Sequence, residues 1–415
     1  MKIAIYEIYG LNKNAGGPSG YLWHLNEGLS RVGHEGIAFL IGHADAAMSR
    51  PAPSRAAERL RRLSPTLWTL AKSFGPTRLR KIWVDAFRRP VDAYFLPEKV
   101  EAQLLAERYD AIHCHCTPDA VAAHNSLVRL GLRDTTKLVL TSHCPEKPSQ
   151  ERLAGYIAHG LHRSLAPRML RALDAIDERA IEVADHLLFP CAEALEVYTQ
   201  SWPGFSAAIA GKPIDYVITG VVNPEIGDPD MWKSALPQGR TLLCYAGRHN
   251  TIKGYDILAQ AIPPLLREDN VSMVVAGHQG PLFAPEDPNW IEVGWTRNVQ
   301  ELIKACDIFV LPNRNTYFDL VAIEVMALGK PIVATNTGGN KALARLSDGV
   351  VLCETSPDSM RETLRELASN KALIAELGEK NRAVFLENME AAIFARNYKS
   401  VLRKIVRADN ERVAV

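Results

Sequence analysis

The sequence has little of three features that would narrow its class at once. No apolar run approaches the ~18 residues that a transmembrane helix needs. Lys and Arg number 48 and Asp and Glu 47, so a net charge of +1 gives no general attraction to nucleic acid. Seven scattered cysteines indicate free thiols in a reducing compartment. Residues 1–9 alternate and contain Glu7, which is typical of a first strand and not of a signal peptide, so we expect a cytoplasmic protein.

Several well-known site motifs are missing or incomplete. The glycines of residues 14–20 have the wrong spacing for a dinucleotide fingerprint, and no Walker lysine pattern occurs. In a strand, the histidines and cysteines from His113 to Cys116 would point to opposite faces, unlike the CxxC pairs of zinc sites. Asp228 and Asp230 form an acid pair, but Asp230 is a plausible helix N-cap. We therefore expect neither a metal ion nor a cofactor.

The chain of 415 residues is long enough for two or three domains. Strand and helix patterns alternate in both halves, which predicts an α/β protein with two doubly wound parallel sheets. Between the halves, prolines and glycines interrupt residues 200–240 and predict a linker. We predict a first domain at 1–203, a second at 204–386, and a long helix, Glu387–Val406, within 387–415. Two such domains would leave a deep cleft for a ligand.

One acid stands out in an apolar stretch of the second half. Residues 320–328 have apolar side chains at helical spacing and precede a glycine, which predicts a short helix. A helix that begins near Asp319 directs free backbone N–H groups at the preceding loop, where an anion would bind. Glu324 lies about one and a half turns inside, and one turn rises ~5.4 Å, roughly the step from a nucleotide phosphate to its ribose. Its carboxylate could accept two ribose hydroxyls, or it is a solvated surface side chain.

Two cations lie on a loop that faces the same predicted cleft. Arg248 and Lys253 follow a strand pattern, residues 241–246, and precede a helix pattern. Arg holds phosphate through two parallel hydrogen bonds and Lys adds a compact charge, so the two suit a diphosphate. The alternative is a pair of solvated loop cations, which the presence of Glu324 makes less favourable.

Segments in both halves resemble those of the group 1 (family 4) retaining glycosyltransferases, which have the GT-B fold. In the second half the similar segments are Gly247-Arg248…Lys253-Gly254, Val293 to Thr296 with Leu302 and Ala305 to Asp307, and Phe318…Glu324…Gly329 to Pro331. In the first half the looser matches are Gly16-Gly17…Leu25…Leu29…Gly33-His34, Asp110 to His115, Ser142-His143 and Ala184 to Glu193. The resemblance spans nearly the whole chain, and its motifs are specific in combination.

The resemblance implies a metal-independent enzyme that transfers a sugar with retention from a nucleoside-diphosphate sugar to a glycan or lipid-linked acceptor. The pathway implied is bacterial polysaccharide, glycoconjugate or glycolipid synthesis. Glu324 would hold the ribose, Arg248 and Lys253 would neutralise the leaving diphosphate, and the C-terminal helix would cross back to the first domain. The implied catalytic residues are His143, Arg248, Lys253 and Glu324, and the implied donor-binding residues are Gly16, Gly17, Gly247, Trp295, Thr296, Thr316, Phe318, Asp319, Leu320 and Val321.

The sequence departs from the family where the transferred sugar would lie. The family's donor motif usually has a second glutamate eight positions before Glu324, and that position is Thr316. The usual Gly-Phe-Gly-Leu is Tyr317-Phe-Asp-Leu320. Asp319 could contact a sugar hydroxyl in place of the missing acid, or it could cap the helix. The ribose end of the site therefore looks ordinary, and the sugar end looks altered.

A basic segment, residues 54–90, lies in the first half. It has ten basic residues, two acids and interleaved aromatic side chains. Amphipathic basic helices of this kind suit an anionic membrane surface, so we expect possible peripheral contact with the inner face of a membrane. The alternative is a set of helices that pack their aromatic side chains inward and leave their basic faces solvated.

Two other functions stay open at this point. A sugar-nucleotide epimerase would use the same fold without an acceptor. A non-catalytic nucleotide- or glycan-binding protein would have lost part of its site, and Thr316 favours that interpretation. The sequence leaves the donor sugar, the base and the acceptor open.

Overall fold

The computed structural model describes residues 1–8, 10–13, 16–42, 87–158, 161–228, 230–232, 234–277 and 279–410. The basic segment predicted at 54–90 lies outside the described residues except for 87–90. The expectations of basic amphipathic helices and of lipid contact therefore stay predictions. None of the helices within the described ranges is long and apolar enough to span a membrane.

The first half folds around one parallel sheet. Its strands are β1 (Ile3–Glu7), β2 (Ile37–Ile41), β3 (Ala111–Cys114), β4 (Lys137–Leu140), β5 (His186–Phe189) and β6 (Ile214–Tyr216), in the spatial order β2-β1-β3-β4-β5-β6. Ile3 lies opposite Ile37 on one side and opposite Ala111 on the other. Strands β1 and β3 are buried along their whole length, as expected of a parallel sheet that is covered on both faces.

The second half repeats this architecture. Its strands are β7 (Thr241–Ala246), β8 (Val271–Ala276), β9 (Trp290–Gly294), β10 (Ile308–Leu311), β11 (Ile332–Thr335) and β12 (Val350–Cys353), in the order β12-β11-β10-β7-β8-β9. All the pairings are parallel. The prediction of two doubly wound parallel sheets is therefore confirmed.

Helices connect the strands and cover the faces of both sheets. In chain order they are α1 (Gly17–Val32), α2 (Pro90–Ala93), α3 (Glu98–Glu107), α4 (Thr117–Arg129), α5 (Pro148–Ala158), α6 (Ala166–Val183), α7 (Glu196–Ser201), α8 (Phe205–Ala208), α9 (Tyr255–Glu268), α10 (Val299–Ala305), α11 (Leu320–Ala327), α12 (Gly339–Leu346), α13 (Pro357–Ala368), α14 (Lys371–Asn388) and α15 (Ala391–Asn410). Single 3-10 turns lie at Arg163–Leu165 and Ala192–Leu195.

The C-terminal segment differs from the single helix predicted over Glu387–Val406. The structure has two helices there, α14 and α15, which are separated at Met389. The backbone carbonyl of Met389 accepts a hydrogen bond from the N–H of Val221 at 2.9 Å. Val221 belongs to the predicted linker, residues 200–240, so this segment contacts the chain where α14 ends. Helix α15 then packs on α1 of the first half, where Lys399 donates to the carbonyl of Gly33 at 2.7 Å.

The first sheet also continues past residue 203, because β6 pairs with β5 at its edge. The predicted linker therefore contains a strand of the first sheet, which its many prolines and glycines concealed. The boundaries at 203/204 and 386/387 stay predictions.

Candidate functional site

A cleft opens at the carboxyl ends of the strands. The strand order of the first sheet reverses between β1 and β3, and that of the second between β7 and β10. Open α/β sheets bind their ligands at such reversal points. The cleft contains a cavity of about 580 Å³ and another of about 430 Å³. Gly16, Gly247, Arg248 and Leu320 line both cavities, so the two adjoin.

The loop after β7 carries the predicted cations and is held against the segment after β10. Gly254, which ends this loop, has a φ of 65°, in the left-handed region that favours glycine. A Cβ atom at Gly254 would lie 1.7 Å from the carbonyl oxygen of Pro312. This close approach brings Lys253 next to the residues that precede α11.

Arg248 and Lys253 occupy different electrostatic environments. The Arg248 side chain is exposed, lines both cavities and forms no ion pair with a residue that the structure describes. The Lys253 ammonium lies 2.7 Å from each carboxylate oxygen of Asp319, and both side chains are largely buried. The charge of Lys253 is therefore already balanced, whereas that of Arg248 faces the cleft.

Asp319 is not the helix cap that one interpretation of the sequence expected. It precedes α11, yet its side chain accepts no hydrogen bond from the first N–H groups of that helix. Its carboxylate is occupied by Lys253 and by the amide nitrogen of Asn313, which donates to Oδ2 at 2.6 Å. Burial raises the pKa of Asp319, but the charge of Lys253 and these hydrogen bonds outweigh it and hold the pKa below its ordinary value.

Glu324 lies on α11 and lines the smaller cavity. Lys13 and Gln300, from other elements, line the same cavity. The amide nitrogen of Gln300 lies 3.5 Å from its Oε1, a long contact. Burial raises the pKa of Glu324 to about 7, with Gln300 and the charge of Lys13 acting in the opposite direction. Within the described ranges the carboxylate therefore has no close hydrogen-bond donor, which leaves it able to accept hydrogen bonds from a ligand.

The far end of the smaller cavity is formed by the loops after β8 and β9. Trp295 and Thr296 follow β9 directly, and Ala276 and Gly277 contribute the end of β8. Trp295 is 57% exposed. A flat aromatic side chain beside backbone groups suits a planar heterocycle.

The first half contributes a wall of rings around His143. The Nε2 atom of His143 lies 3.0 Å from Nδ1 of His115, and the ring centroids of Tyr21 and Tyr317 lie 4.8 and 5.7 Å away. Burial lowers the pKa of His143 to about 3 and that of His115 well below its usual value. Both imidazoles are therefore neutral at physiological pH.

His113 stands behind this wall and is also neutral. Its Nε2 meets the hydroxyl of Thr141 at 2.8 Å, and that hydroxyl donates to the carbonyl of Leu188 at 2.6 Å. Nε2 of His113 must then donate, and Nδ1 accepts from the hydroxyl of Tyr398 at 2.6 Å. Burial lowers its pKa to about 3. This histidine is part of the packing between the first sheet and α15.

Helix α1 begins at the cleft. Gly17, its first residue, has a φ of 66°. The first turn contains no acid, so its N–H groups keep their attraction for an anion. Gly16 and Gly17 both line the larger cavity.

The cleft brings together all but one of the predicted site residues. The smaller cavity is lined by Gly16, Gly247, Arg248, Trp295, Thr296, Leu320 and Glu324. The larger is lined by Gly16, Gly17, His143, Gly247, Arg248, Lys253, Phe318, Asp319, Leu320 and Val321. Thr316 lines neither, because it is fully buried beneath the cleft, where its carbonyl accepts from Gly339 at 3.3 Å.

Other lining residues were not among the predicted site residues, although His115 and Tyr317 lie in segments that resemble the family or depart from it. They are Lys13, His24 and Gln300 in the smaller cavity, and Tyr21, His115 and Tyr317 in the larger. His115 and the loop with Lys13 follow β3 and β1, so only their position after a strand pointed to the cleft. Among the described residues, no group of three His, Cys, Asp or Glu side chains is placed to hold a metal ion.

Two facing doubly wound sheets with a cleft at their carboxyl ends define the GT-B class of glycosyltransferase. The family profile described as "Glycosyl transferases group 1" matches residues 240–370, and the profile "Glycosyltransferase Family 4" matches residues 15–207. The chain therefore belongs to the group 1 (family 4) glycosyltransferases.

Individual relatives match this chain at low sequence identity or over only part of its length. A D-inositol 3-phosphate glycosyltransferase of Streptomyces avermitilis is 30% identical over 165 residues, which cover 34% of this chain and 35% of the relative. This match thus spans about a third of the relative's length. An N-acetyl-alpha-D-glucosaminyl L-malate synthase of Bacillus anthracis is 22% identical over 363 residues, which cover 80% and 88%.

Solved structures show the same fold at low identity. The crystal structure of HepE from Anabaena in complex with UDP-glucose has a TM-score of 0.57 and 15% identity, and covers 97% of this chain and 100% of HepE. Likeness at this level concerns the fold alone.

Proposed function

We propose that this glycosyltransferase transfers a sugar from a nucleoside-diphosphate sugar with retention of configuration and without a metal ion. The order of groups along the cleft carries the proposal. Trp295 and Glu324 lie at one end, Arg248 is shared by both cavities, and Lys253 and His143 lie at the other. A nucleotide sugar has its base, ribose, diphosphate and sugar in the same order. The bound UDP-glucose of the HepE structure supports this class of donor.

Each group has a distinct chemical task in this proposal. Glu324 accepts hydrogen bonds from the ribose hydroxyls, which anchors the donor. As the bond between the sugar and the diphosphate breaks, negative charge grows on the phosphate oxygens, and the exposed guanidinium of Arg248 stabilises it. His143, with its low pKa, is a weak base. It is suited to hydrogen-bond a sugar hydroxyl. Because so weak a base does not take the acceptor's proton, that proton goes to an oxygen of the departing diphosphate.

We further propose a glycan or lipid-linked acceptor in bacterial polysaccharide, glycoconjugate or glycolipid synthesis. The rings of Tyr21 and His143 in the larger cavity give a surface on which a sugar can stack and hydrogen-bond. We propose a cytoplasmic enzyme that contacts the inner face of a membrane through residues 54–90. Flotation with liposomes tests this contact: recovery with anionic vesicles should exceed recovery with neutral ones, and equal recovery excludes it.

A thermal-shift screen against nucleotide sugars tests the donor assignment. A ligand that binds only the native state raises its apparent stability by mass action. One nucleotide sugar should raise the melting temperature of the wild type and fail to do so for Glu324→Ala. A panel without any shift, or an equal shift in both proteins, contradicts the assignment. The wild type should also release nucleoside diphosphate when an acceptor is supplied, and should leave the donor sugar unepimerised.

A second function is binding without transfer. The burial of Thr316 outside both cavities favours it, because the position of the missing acid then offers no group to the donor sugar. Long incubation of the wild type with the nucleotide sugar separates the two functions. Slow hydrolysis that disappears in Arg248→Ala indicates a working catalytic site, whereas an intact donor indicates a binding protein.

A further inference from the structure

Lys253 and Asp319 form a tightly held ion pair inside the larger cavity. The two carboxylate oxygens lie 2.7 Å from the ammonium nitrogen, and Asn313 fixes one of them from the other side at 2.6 Å. The side chains of Lys253 and Asp319 are 20% and 17% exposed. The position of Lys253 is thus fixed by Asp319 and Asn313, which precede α11, and not by a ligand.

The pair changes the charge that a phosphate group would meet. An ammonium has three N–H donors, and the carboxylate of Asp319 takes two of them. The third can still reach a phosphate oxygen, but the net charge of the pair is zero. Arg248 is then the lining cation of the larger cavity, among the described residues, that forms no ion pair with an acid. Its charge does reach the half-buried Glu146, where it opposes the rise in pKa that burial causes. The first turns of α1 and α11 add only partial positive charge.

We propose that Asp319 is a positioning residue that holds Lys253 in place and, by offsetting its charge, limits the affinity of the cleft for the nucleoside diphosphate product. This proposal rests on the function proposed above. It gives Asp319 a role other than that of the glutamate that the family has at the position of Thr316. It differs from a role in sugar recognition, because the carboxylate acts on the leaving group through Lys253.

The physical reason lies in the product. Donor and product share the diphosphate, so a full extra cation would strengthen the binding of both and would slow release of the product. Lys253 is needed where charge develops, yet an unbalanced Lys253 would bind the finished diphosphate more tightly. The Asp319 carboxylate keeps one N–H group available and removes most of the long-range attraction.

Asp319→Asn tests the proposal, because it removes the charge at nearly constant volume. We expect the variant to bind UDP about ten-fold more tightly than the wild type by calorimetry, the difference that one charged hydrogen bond supplies. UDP-glucose should bind more tightly by a similar factor, since the diphosphate is common to both. Under turnover, product inhibition should strengthen. Asp256→Asn is the matched control, because Asp256 pairs with the exposed Arg314 outside both cavities and should leave affinity unchanged.

A second pair of variants isolates Lys253. Asp319→Ala removes the carboxylate without adding a polar donor, and it replaces Asp319→Asn if the latter unfolds. In Lys253→Met the Asp319 carboxylate stays in the cavity without a balancing charge, so this variant should bind UDP more weakly than the wild type. Lys253→Met combined with Asp319→Asn removes both charges of the pair and should bind UDP within about three-fold of the wild type. A double variant that binds UDP as tightly as Asp319→Asn alone means that Lys253 adds no charge that the ligand meets, and it overturns the proposal.

The outcomes separate this proposal from the function beneath it. If folded wild type binds none of UDP, GDP or ADP, the proposed function itself fails. If wild type binds UDP and Asp319→Asn binds it equally or more weakly, only the role of Asp319 fails. Unchanged UDP affinity with weaker UDP-glucose affinity means that Asp319 recognises the sugar, and this too contradicts the proposal.

Discussion

The two walls of the cleft are built from different chemistry. The second half presents charged groups close together, with Arg248 exposed, Lys253 paired to Asp319, and Glu324 a little further along. The first half surrounds His143 with neutral rings, including His115. Charged side chains are expected where a diphosphate binds and leaves, and neutral rings are expected where hydroxyl groups are recognised. The difference supports the proposal that the donor diphosphate binds one wall and the sugar and acceptor bind the other.

The walls also respond to pH in opposite directions. Burial raises the pKa of Glu324 to about 7, so the folded state prefers its protonated form. Burial lowers the pKa values of His113 and His143 to about 3, so the folded state prefers their neutral forms. Glu324 therefore contributes stability that is lost as pH rises, and the histidines contribute stability that is lost as pH falls.

The largest effect is expected from Arg248→Ala. Removal of a preorganised group that stabilises developing charge typically costs about 100-fold to 1,000-fold in turnover. We expect a loss of this size in steady-state transfer, with little change in melting temperature because the side chain is exposed. Arg314→Ala, which removes an exposed arginine outside the cavities, is the control. If Arg248→Ala keeps a third of the wild-type turnover, Arg248 does not stabilise the charge of the leaving diphosphate, and the proposed role of the charged wall is wrong.

The next effect concerns the neutral histidines. Each contributes stability that is fully present above the unfolded pKa of about 6.5 and falls by about 1.4 kcal/mol per pH unit below it. Urea unfolding of the wild type should therefore show a loss of about 2 kcal/mol per histidine between pH 6.5 and pH 5. In His143→Gln the slope should be shallower by about one proton. Equal slopes in the two proteins would show that His143 is protonated in the folded state.

Glu324→Gln should give the opposite trend on the other wall. The protonated carboxyl favours the folded state fully below pH 4.5, and this contribution is lost as pH rises through about 7. The uncharged variant should therefore gain stability relative to wild type by about 1–3 kcal/mol at pH 8, and by less at pH 5. Glu301→Gln changes an acid of α10 that lines neither cavity and serves as the control. A constant difference between pH 5 and pH 8 would contradict the raised pKa.

The smallest effect is expected from Tyr317→Phe, where the walls touch. Tyr317 comes from the second half, but its ring lies among Phe189, Tyr198 and His143 of the first. Its buried hydroxyl has no hydrogen-bond partner among the described residues. Removal of this hydroxyl should leave the free energy of unfolding unchanged or raise it by up to about 1 kcal/mol. A loss of more than that would show that the hydroxyl has a partner.

The charged wall could largely be predicted from the sequence. Arg248, Lys253 and Glu324 lie within short segments whose helix and strand signals are local, so their spacing alone placed them beside the same cleft. Both sheets were predicted for the same reason, because alternating strand and helix patterns need no knowledge of distant contacts. The prediction that they meet at the cavities agrees with the structure.

Contacts between distant segments could not be predicted in this way. The capture of Asp319 by Lys253 and Asn313 joins residues up to 66 positions apart, and no local pattern distinguishes it from a helix cap. The pairing of His115 with His143 joins the ends of two strands. At the break between α14 and α15, the carbonyl of Met389 accepts a hydrogen bond from the distant Val221. Thr316 has the sequence position of a site residue, but packing under Gly339 removes it from the cleft.

The pH dependence of nucleotide-sugar binding tests the central claim most directly. In the proposed complex the ribose hydroxyls donate to the ionised carboxylate of Glu324, and a sugar nucleotide has no phosphate that titrates near neutral pH. With the pKa of Glu324 at about 7, calorimetry should show affinity for the nucleotide sugar selected by the thermal-shift screen rising about ten-fold from pH 6 to pH 8. Glu324→Gln should bind more weakly and without this dependence. Affinity that is independent of pH in the wild type, or an equal rise in the variant, would contradict the assignment of Glu324 to the ribose.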